Sequence, residues 1–192
     1  MFSIILASVG LTLSSLWFGM FSSLIYGLMM LLSSAYSVPP IRFKSVPILD
    51  LTSHGLFFGS LIVLYGVSVT GGFRFETLVL TSSMFVISLI VELRNQIDDI
   101  FEDSATGVHT TACLIGSSRA NALFAGLLVL HTSMLIYVLN LVGDLVIFTI
   151  SLIFLAGLAI QFLIEPERKR YLLLMEKVTP LVYLFFSLNI LL

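Results

Sequence analysis

The sequence predicts an all-α integral membrane protein, a helical bundle of about seven transmembrane helices, and three observations carry that expectation. Of its 192 residues 58% are hydrophobic and only 10% are charged. Mean hydropathy is +1.12, far outside the range of water-soluble domains. The nine basic and eleven acidic residues are too few to clothe a globule of this size in water, and they cluster between apolar runs. Those runs approach the roughly 20 residues that cross about 30 Å of hydrocarbon at about 1.5 Å per residue. Helices rather than strands follow, because an unpaired backbone group in lipid costs several kcal/mol and the runs lack the alternation of a barrel.

In chain order the expected spans are 2–16, 18–36, 50–70, 75–95, 117–140, 144–164 and 178–192. The first two are short and joined tightly near Trp17, Phe18 and Gly19. Met1 to Ser22 has no basic n-region, so a cleaved secretory signal describes it poorly. Its abrupt apolar start fits either a short N-terminus or a chain whose beginning lies upstream. With no repeats or low-complexity linkers, residues 1–192 read as one membrane domain. Basic residues favour the cytoplasmic side of short loops. Arg42 and Lys44, then Arg94 and Arg119, then Arg168, Lys169, Arg170 and Lys177 fall on one face when the spans are threaded in order, against Arg74 alone on the other. The expected location is therefore a cell membrane, multi-pass, with these loops and the N-terminus in the cytoplasm. Nucleic acid is excluded as a partner. Cys113 is the one cysteine and reads as apolar filler.

Nearly everything polar lies at the ends of spans on that face. In the stretch Tyr36-Ser37-Val38-Pro39-Pro40-Ile41-Arg42-Phe43-Lys44 the paired prolines are expected to fix an extended backbone. Arg42 and Lys44, two apart, would then point the same way and suit a phosphate or diphosphate. A loop resting on anionic lipid headgroups is the alternative. The second stretch runs from Glu92 through Asn95, Asp98, Asp99, Glu102 and Asp103 to Gly107, His109 and Thr110. If the fourth span continues as helix, Asn95, Asp99 and Asp103 share one face, and Asp98 and Glu102 lie off it as solvated neighbours. Stacked like charges are unfavourable unless a cation occupies them. Magnesium fits, since it prefers oxygen ligands and bridges one or two carboxylates to substrate phosphates. Zinc does not, because no Cys or His pair sits beside these acids at ligand spacing.

Taken together, Tyr36 to Lys44 and then Asn95-x-x-x-Asp99-x-x-x-Asp103-x-x-x-Gly107-x-x-Thr110 resemble the UbiA superfamily of intramembrane prenyltransferases. The resemblance implies an apolar tunnel for a prenyl chain beneath a polar cytoplasmic cap, and transfer of a prenyl group from an isoprenoid diphosphate to a lipophilic acceptor with Mg2+. It implies Asp99 and Asp103 as metal ligands and catalytic groups, Asn95 as their support, Arg42 and Lys44 as diphosphate ligands, and Tyr36 as a ring beside the allylic cation. His109 stands where the family often has Lys, which implies a diphosphate contact. His54 and Glu92, polar groups near the inner ends of spans, are candidates for the acceptor side. His131 reads as a helix-to-helix hydrogen-bonding group, and Gly55, Gly59 and Gly66 as sites of close helix packing. The Arg-Phe-Lys form of the loop is similar to that of carotenoid-elongating members, while the acceptor stays open among quinone precursors, haem, chlorophyll, carotenoids and lipid glycerols.

One departure from the pattern matters. The seven spans correspond to the family's third to ninth helices, and the family's first aspartate motif is missing before Tyr36. The expectation is that this chain alone binds one metal poorly and is inactive unless an upstream segment or a partner supplies the missing acids. A non-catalytic or incomplete relative, acting as a lipid-binding scaffold or subunit, is the competing reading.

Overall fold

The computed structural model describes residues 2–141 and residue 149, so the predicted spans 144–164 and 178–192 and the basic loop between them lie outside the described residues. The chain divides into two compact units, Met1–His131 and Thr132–Leu192. The first holds all the site residues below. Of the second, the described residues are the end of one helix, through Leu141, and residue 149.

Helix α1 covers Phe2–Ser37 and is interrupted at Gly19, whose φ of 82° and ψ of 179° no helix allows. The interruption reverses the chain. A continuous helix would hold residues 10 and 26 about 24 Å apart, yet a Cβ placed on Gly10 would lie 2.3 Å from the Tyr26 hydroxyl. The two expected short spans are therefore the arms of a hairpin turning on a glycine, the residue that adopts positive φ without penalty. No acid or base lies in its end turns. Hydroxyls along it fold back onto carbonyls one turn earlier, as in Thr12 to Ser8 at 2.9 Å and Ser22 to Phe18 at 3.1 Å, which satisfies them without water.

After a short 3-10 turn at Phe43–Ser45, α2 (Leu49–His54) runs through a π-helical stretch, Gly55–Ser60, into α3 (Leu61–Thr70), which Gly71 terminates at a φ of 75°. The π-helical stretch lies flat on α4 (Phe75–Asp98). Glycine is required there: a Cβ at Gly59 would stand 2.5 Å from the Met84 carbonyl oxygen and one at Gly55 2.7 Å from the Phe85 ring. Gly66, grouped with these two on sequence, has no described residue within 4 Å of the same position, so among the described residues it makes no packing notch. Then follow α5 (Ile100–Thr106), α6 (Thr111–Ile115) and α7 (Ser117–Leu141).

Ile90, Leu93 and Ile97 of α4 and Ala120 and Phe124 of α7 are buried. The buried His131 ring meets Ser83 Oγ at 3.4 Å, the interhelical polar contact expected of it. Among the described residues, four helical stretches are long and apolar enough to cross a membrane by length and composition, Ile4–Ser37, Leu49–Thr70, Phe75–Asp98 and Ser117–Tyr137. Among the described residues there is no strand. The exposed side chains of α1 include the apolar Leu16, Trp17 and Met20 while Ser14 and Ser22 are buried, an outer surface suited to lipid.

Candidate active site

The acidic stretch is built on a bent helical ladder. α4 ends at Asp98, Asp99 takes φ −95° and ψ 5°, and α5 starts at Ile100, so the helix is not continuous here as its periodicity predicts. The i to i−4 hydrogen bonds nevertheless run through the bend: Asp99 N–H donates to the Asn95 carbonyl and Asp103 N–H to the Asp99 carbonyl, each at 2.9 Å. Asp99 and Asp103 therefore stay one turn apart. Gly107, at a φ of 71°, ends α5 and turns the chain toward Thr110, the N-cap of α6.

Asp103 is the meeting point. Partial burial, then the neighbouring charges of Asp99 and Glu92, push its carboxyl above the ordinary carboxylate value, while Lys44 and a hydrogen bond from the Thr110 side chain pull the other way. The half-buried Lys44 of the basic loop therefore sits within electrostatic reach of the acidic stretch. Arg42 departs from expectation. The Pro39–Pro40 peptide is cis, Arg42 has a φ of 40°, and Phe43–Ser45 form the 3-10 turn, so the segment is not extended. A proline restricts its own φ and the residue before it but leaves Arg42 free to turn. The same-direction argument for Arg42 and Lys44 thus fails, and Arg42 is exposed.

Beside the acids lies a second cluster. Glu92 Oε1 accepts from the Tyr36 hydroxyl at 2.7 Å and from Gln96 Nε2 at 3.4 Å. Its Oε2 stands 3.8 Å from His54 Nε2, too far for a hydrogen bond but close for a charge pair. Ser88 Oγ lies 2.9 Å from His54 Nδ1 and donates to the His54 carbonyl at 3.1 Å. That pattern assigns the imidazole proton to Nδ1 and leaves Nε2 as the acceptor facing Glu92. Three further rings surround His54: Phe58 stacked at 5.2 Å, Phe57 at 5.5 Å and Tyr36 at 5.8 Å.

The other predicted residues are more peripheral. Asn95 is exposed, and its side-chain oxygen accepts from Arg94 at 3.2 Å. His109 is exposed on the link between α5 and α6. Sequence reasoning missed Ser88, Gln96, Thr111 and above all Asp50, which is fully buried. An ionisable residue at the head of an apolar run was the available signal for Asp50.

Among the described residues no group of three or more His, Cys, Asp and Glu side chains could hold a metal. Asp99 and Asp103 offer a smaller donor set, two hard carboxylates whose mutual repulsion a cation would relieve. That fits magnesium as a half-site completed by phosphate oxygens.

A family model described as the UbiA prenyltransferase family matches residues 1–178. The chain is 35% identical over 103 residues to a lycopene elongase/hydratase of Halobacterium salinarum, covering 53% of this chain and 36% of that one. It is 29% identical over 119 residues to the same-named protein of Haloarcula japonica, covering 62% and 35%. The matches thus span about a third of those relatives' own length. In fold, it is similar to two structures of a UbiA homolog from Archaeoglobus fulgidus, one bound to GPP and Mg2+ and one bound to Cd2+. Both have TM-scores of 0.69 and cover 98% of this chain; identities are 19% and 20%, with 69% and 70% of the neighbour covered.

Proposed function

The chain belongs to the UbiA prenyltransferase family, and from that premise we propose that it transfers a prenyl group from an isoprenoid diphosphate to a lipophilic acceptor within the membrane, with Mg2+. The observation that carries the reading is the backbone ladder that keeps Asp99 and Asp103 one turn apart, within electrostatic reach of Lys44 and of Glu92, which is bonded into a ring-lined cluster of Tyr36 and His54. A diphosphate needs the first set of groups and an allylic cation needs the second.

Asp99 and Asp103 would hold the ion, and Asn95, once released from Arg94, would support them. When bound, the ion supplies positive charge that stabilises the departing diphosphate. Lys44 binds diphosphate oxygens beside Asp103, with Arg42 and His109 closing from the exposed side. The faces of Tyr36, Phe57 and Phe58 stabilise the allylic cation left when the C–O bond breaks. An acceptor carbon then forms the new C–C bond and loses a proton, which His54 takes at Nε2. Glu92, held by Tyr36 and Gln96, balances the charge so created. The apolar helices exclude water that would otherwise capture the cation.

For the acceptor we propose a lycopene-like polyene, supported by the relatives' names. We place the catalytic loops on the cytoplasmic side, from the bias of basic residues. Further acidic ligands are assigned to a partner. The test is an assay of the full chain in bilayers containing lycopene or 4-hydroxybenzoate, with a labelled isoprenoid diphosphate. Magnesium-dependent labelling of lycopene is expected. No labelling of either acceptor, with or without the native host's membranes, overturns the transfer reading. Equal labelling of 4-hydroxybenzoate overturns the choice of acceptor.

A further inference from the structure

Asp50 is fully buried at the start of α2, only six residues after Lys44, and among the described residues its carboxylate forms no salt bridge. Its oxygens accept from Leu51 N–H at 2.7 Å, from Thr111 N–H at 2.5 Å and from the Thr111 hydroxyl. The same hydroxyl oxygen accepts from Ile48 N–H at 2.7 Å, so Thr111 is gripped from both sides by the segment that follows the basic loop. The neighbouring Ala112 N–H donates to the Gln96 side chain at 3.2 Å, and that buried amide donates in turn to Glu92. Thr110, next in the chain, lies close enough to Asp103 to act on its carboxyl. One short polar chain therefore joins the segment that follows Lys44 to the start of α6 at Thr111, shortly after α5, the helix bearing Asp103, ends at Thr106.

A buried carboxylate is an expensive way to fill space. Removing one member of such a network leaves the others buried and unpaired, whereas an apolar pair of the same shape would pack at little cost. What the carboxylate adds is direction, because its oxygens accept from donors in two segments at fixed angles and so fix their register. We infer that Asp50 and Thr111 form a latch that sets the spacing between Lys44 and Asp103, making Asp50 a positioning residue for the diphosphate site. The inference rests on the functional reading above. Asp50 touches neither Lys44 nor the acidic ladder through any of these bonds.

The test is equilibrium binding of geranyl diphosphate, with Mg2+ present, to the full chain in nanodiscs, together with amide hydrogen exchange. Asp50→Asn, which replaces one acceptor oxygen with a donor, and Thr111→Val should each weaken binding about tenfold; Thr111→Ser, which keeps the hydroxyl, should restore it. Asp50→Asn should have no further effect in a Lys44→Ala background, because the latch works through Lys44. Exchange at Ile48 and Thr111 should quicken in Asp50→Asn while Leu93 in the core of α4 stays protected, separating a local release from general unfolding. Wild-type affinity in Asp50→Asn overturns the inference, as does full additivity with Lys44→Ala. Faster exchange with unchanged affinity also overturns it, leaving a structural role alone. Failure of the wild-type chain itself to bind geranyl diphosphate sinks the functional reading, an outcome distinct from any change among the variants.

Discussion

Glu92→Gln separates the two halves of the proposed chemistry. The change keeps the side chain's size and an acceptor oxygen for Tyr36 but removes the charge 3.8 Å from His54 Nε2. Two unit charges at that separation interact by about 4 kcal/mol at an effective dielectric constant of about 20, which suits a site this enclosed better than the value for bulk water. If half of the proton's charge has developed on His54 in the transition state, the loss is about 2 kcal/mol, or roughly 30-fold in rate. Diphosphate release does not need that proton. The assay measures inorganic pyrophosphate, prenylated product and prenyl alcohol in parallel; the variant should release pyrophosphate within a few-fold of the wild type while product falls about 30-fold, the balance appearing as prenyl alcohol because the stranded cation lasts long enough for water to capture it. An equal fall in both, or no fall in either, refutes the assignment of His54 and Glu92 to the proton-accepting step.

Lys44→Ala should weaken geranyl diphosphate binding about tenfold or more, the range for a lost charge-assisted hydrogen bond, while a nearby exposed change such as Ser37→Ala should not; a binding titration checks this. The pH dependence has a definite sign. Because the Asp103 carboxyl lies above its ordinary value of 3.8, its ionisation costs the metal-free fold stability. Thermal stability in chelator should therefore be greatest near and below that value and fall as pH rises through the titration of Asp103, with Asp99→Asn reducing the fall. For packing, Gly59→Ala drives a methyl against the Met84 backbone and should cost about 1–3 kcal/mol, whereas Gly66→Ala meets nothing within 4 Å and should be neutral or slightly stabilising. Thermal unfolding in detergent compares the two.

Hydropathy made the membrane helices of the described residues legible, because length and apolar content are all a bilayer asks of a helix. The hairpin at Gly19 could be read because a glycine interrupts two short apolar runs. The Asp99 and Asp103 ladder was legible from spacing alone, and the bend at Asp99 leaves its hydrogen bonds intact. The Pro-Pro loop misled, since prolines constrain themselves and their predecessor but not the left-handed turn at Arg42. Gly66 looks like Gly59 in sequence, and only a neighbour's backbone distinguishes them. Asp50 was hidden for a related reason: its partner Thr111 lies 61 residues away, so nothing local marks either residue as half of a contact. His54 and Glu92 were visible as costly polar groups near a membrane, but Ser88 and the π-helical stretch that gathers Phe57 and Phe58 around them leave no pattern in the sequence.

The account depends on Asp99 and Asp103 gripping a divalent ion that in turn grips pyrophosphate beside Lys44. Calorimetric titration of geranyl diphosphate into the full chain in nanodiscs, with and without millimolar Mg2+, tests this most directly when repeated on Asp99→Asn and Asp103→Asn. Binding that requires Mg2+ in the wild type and falls at least tenfold in each variant is the predicted result; the same affinity with and without Mg2+, or in all three proteins, contradicts it.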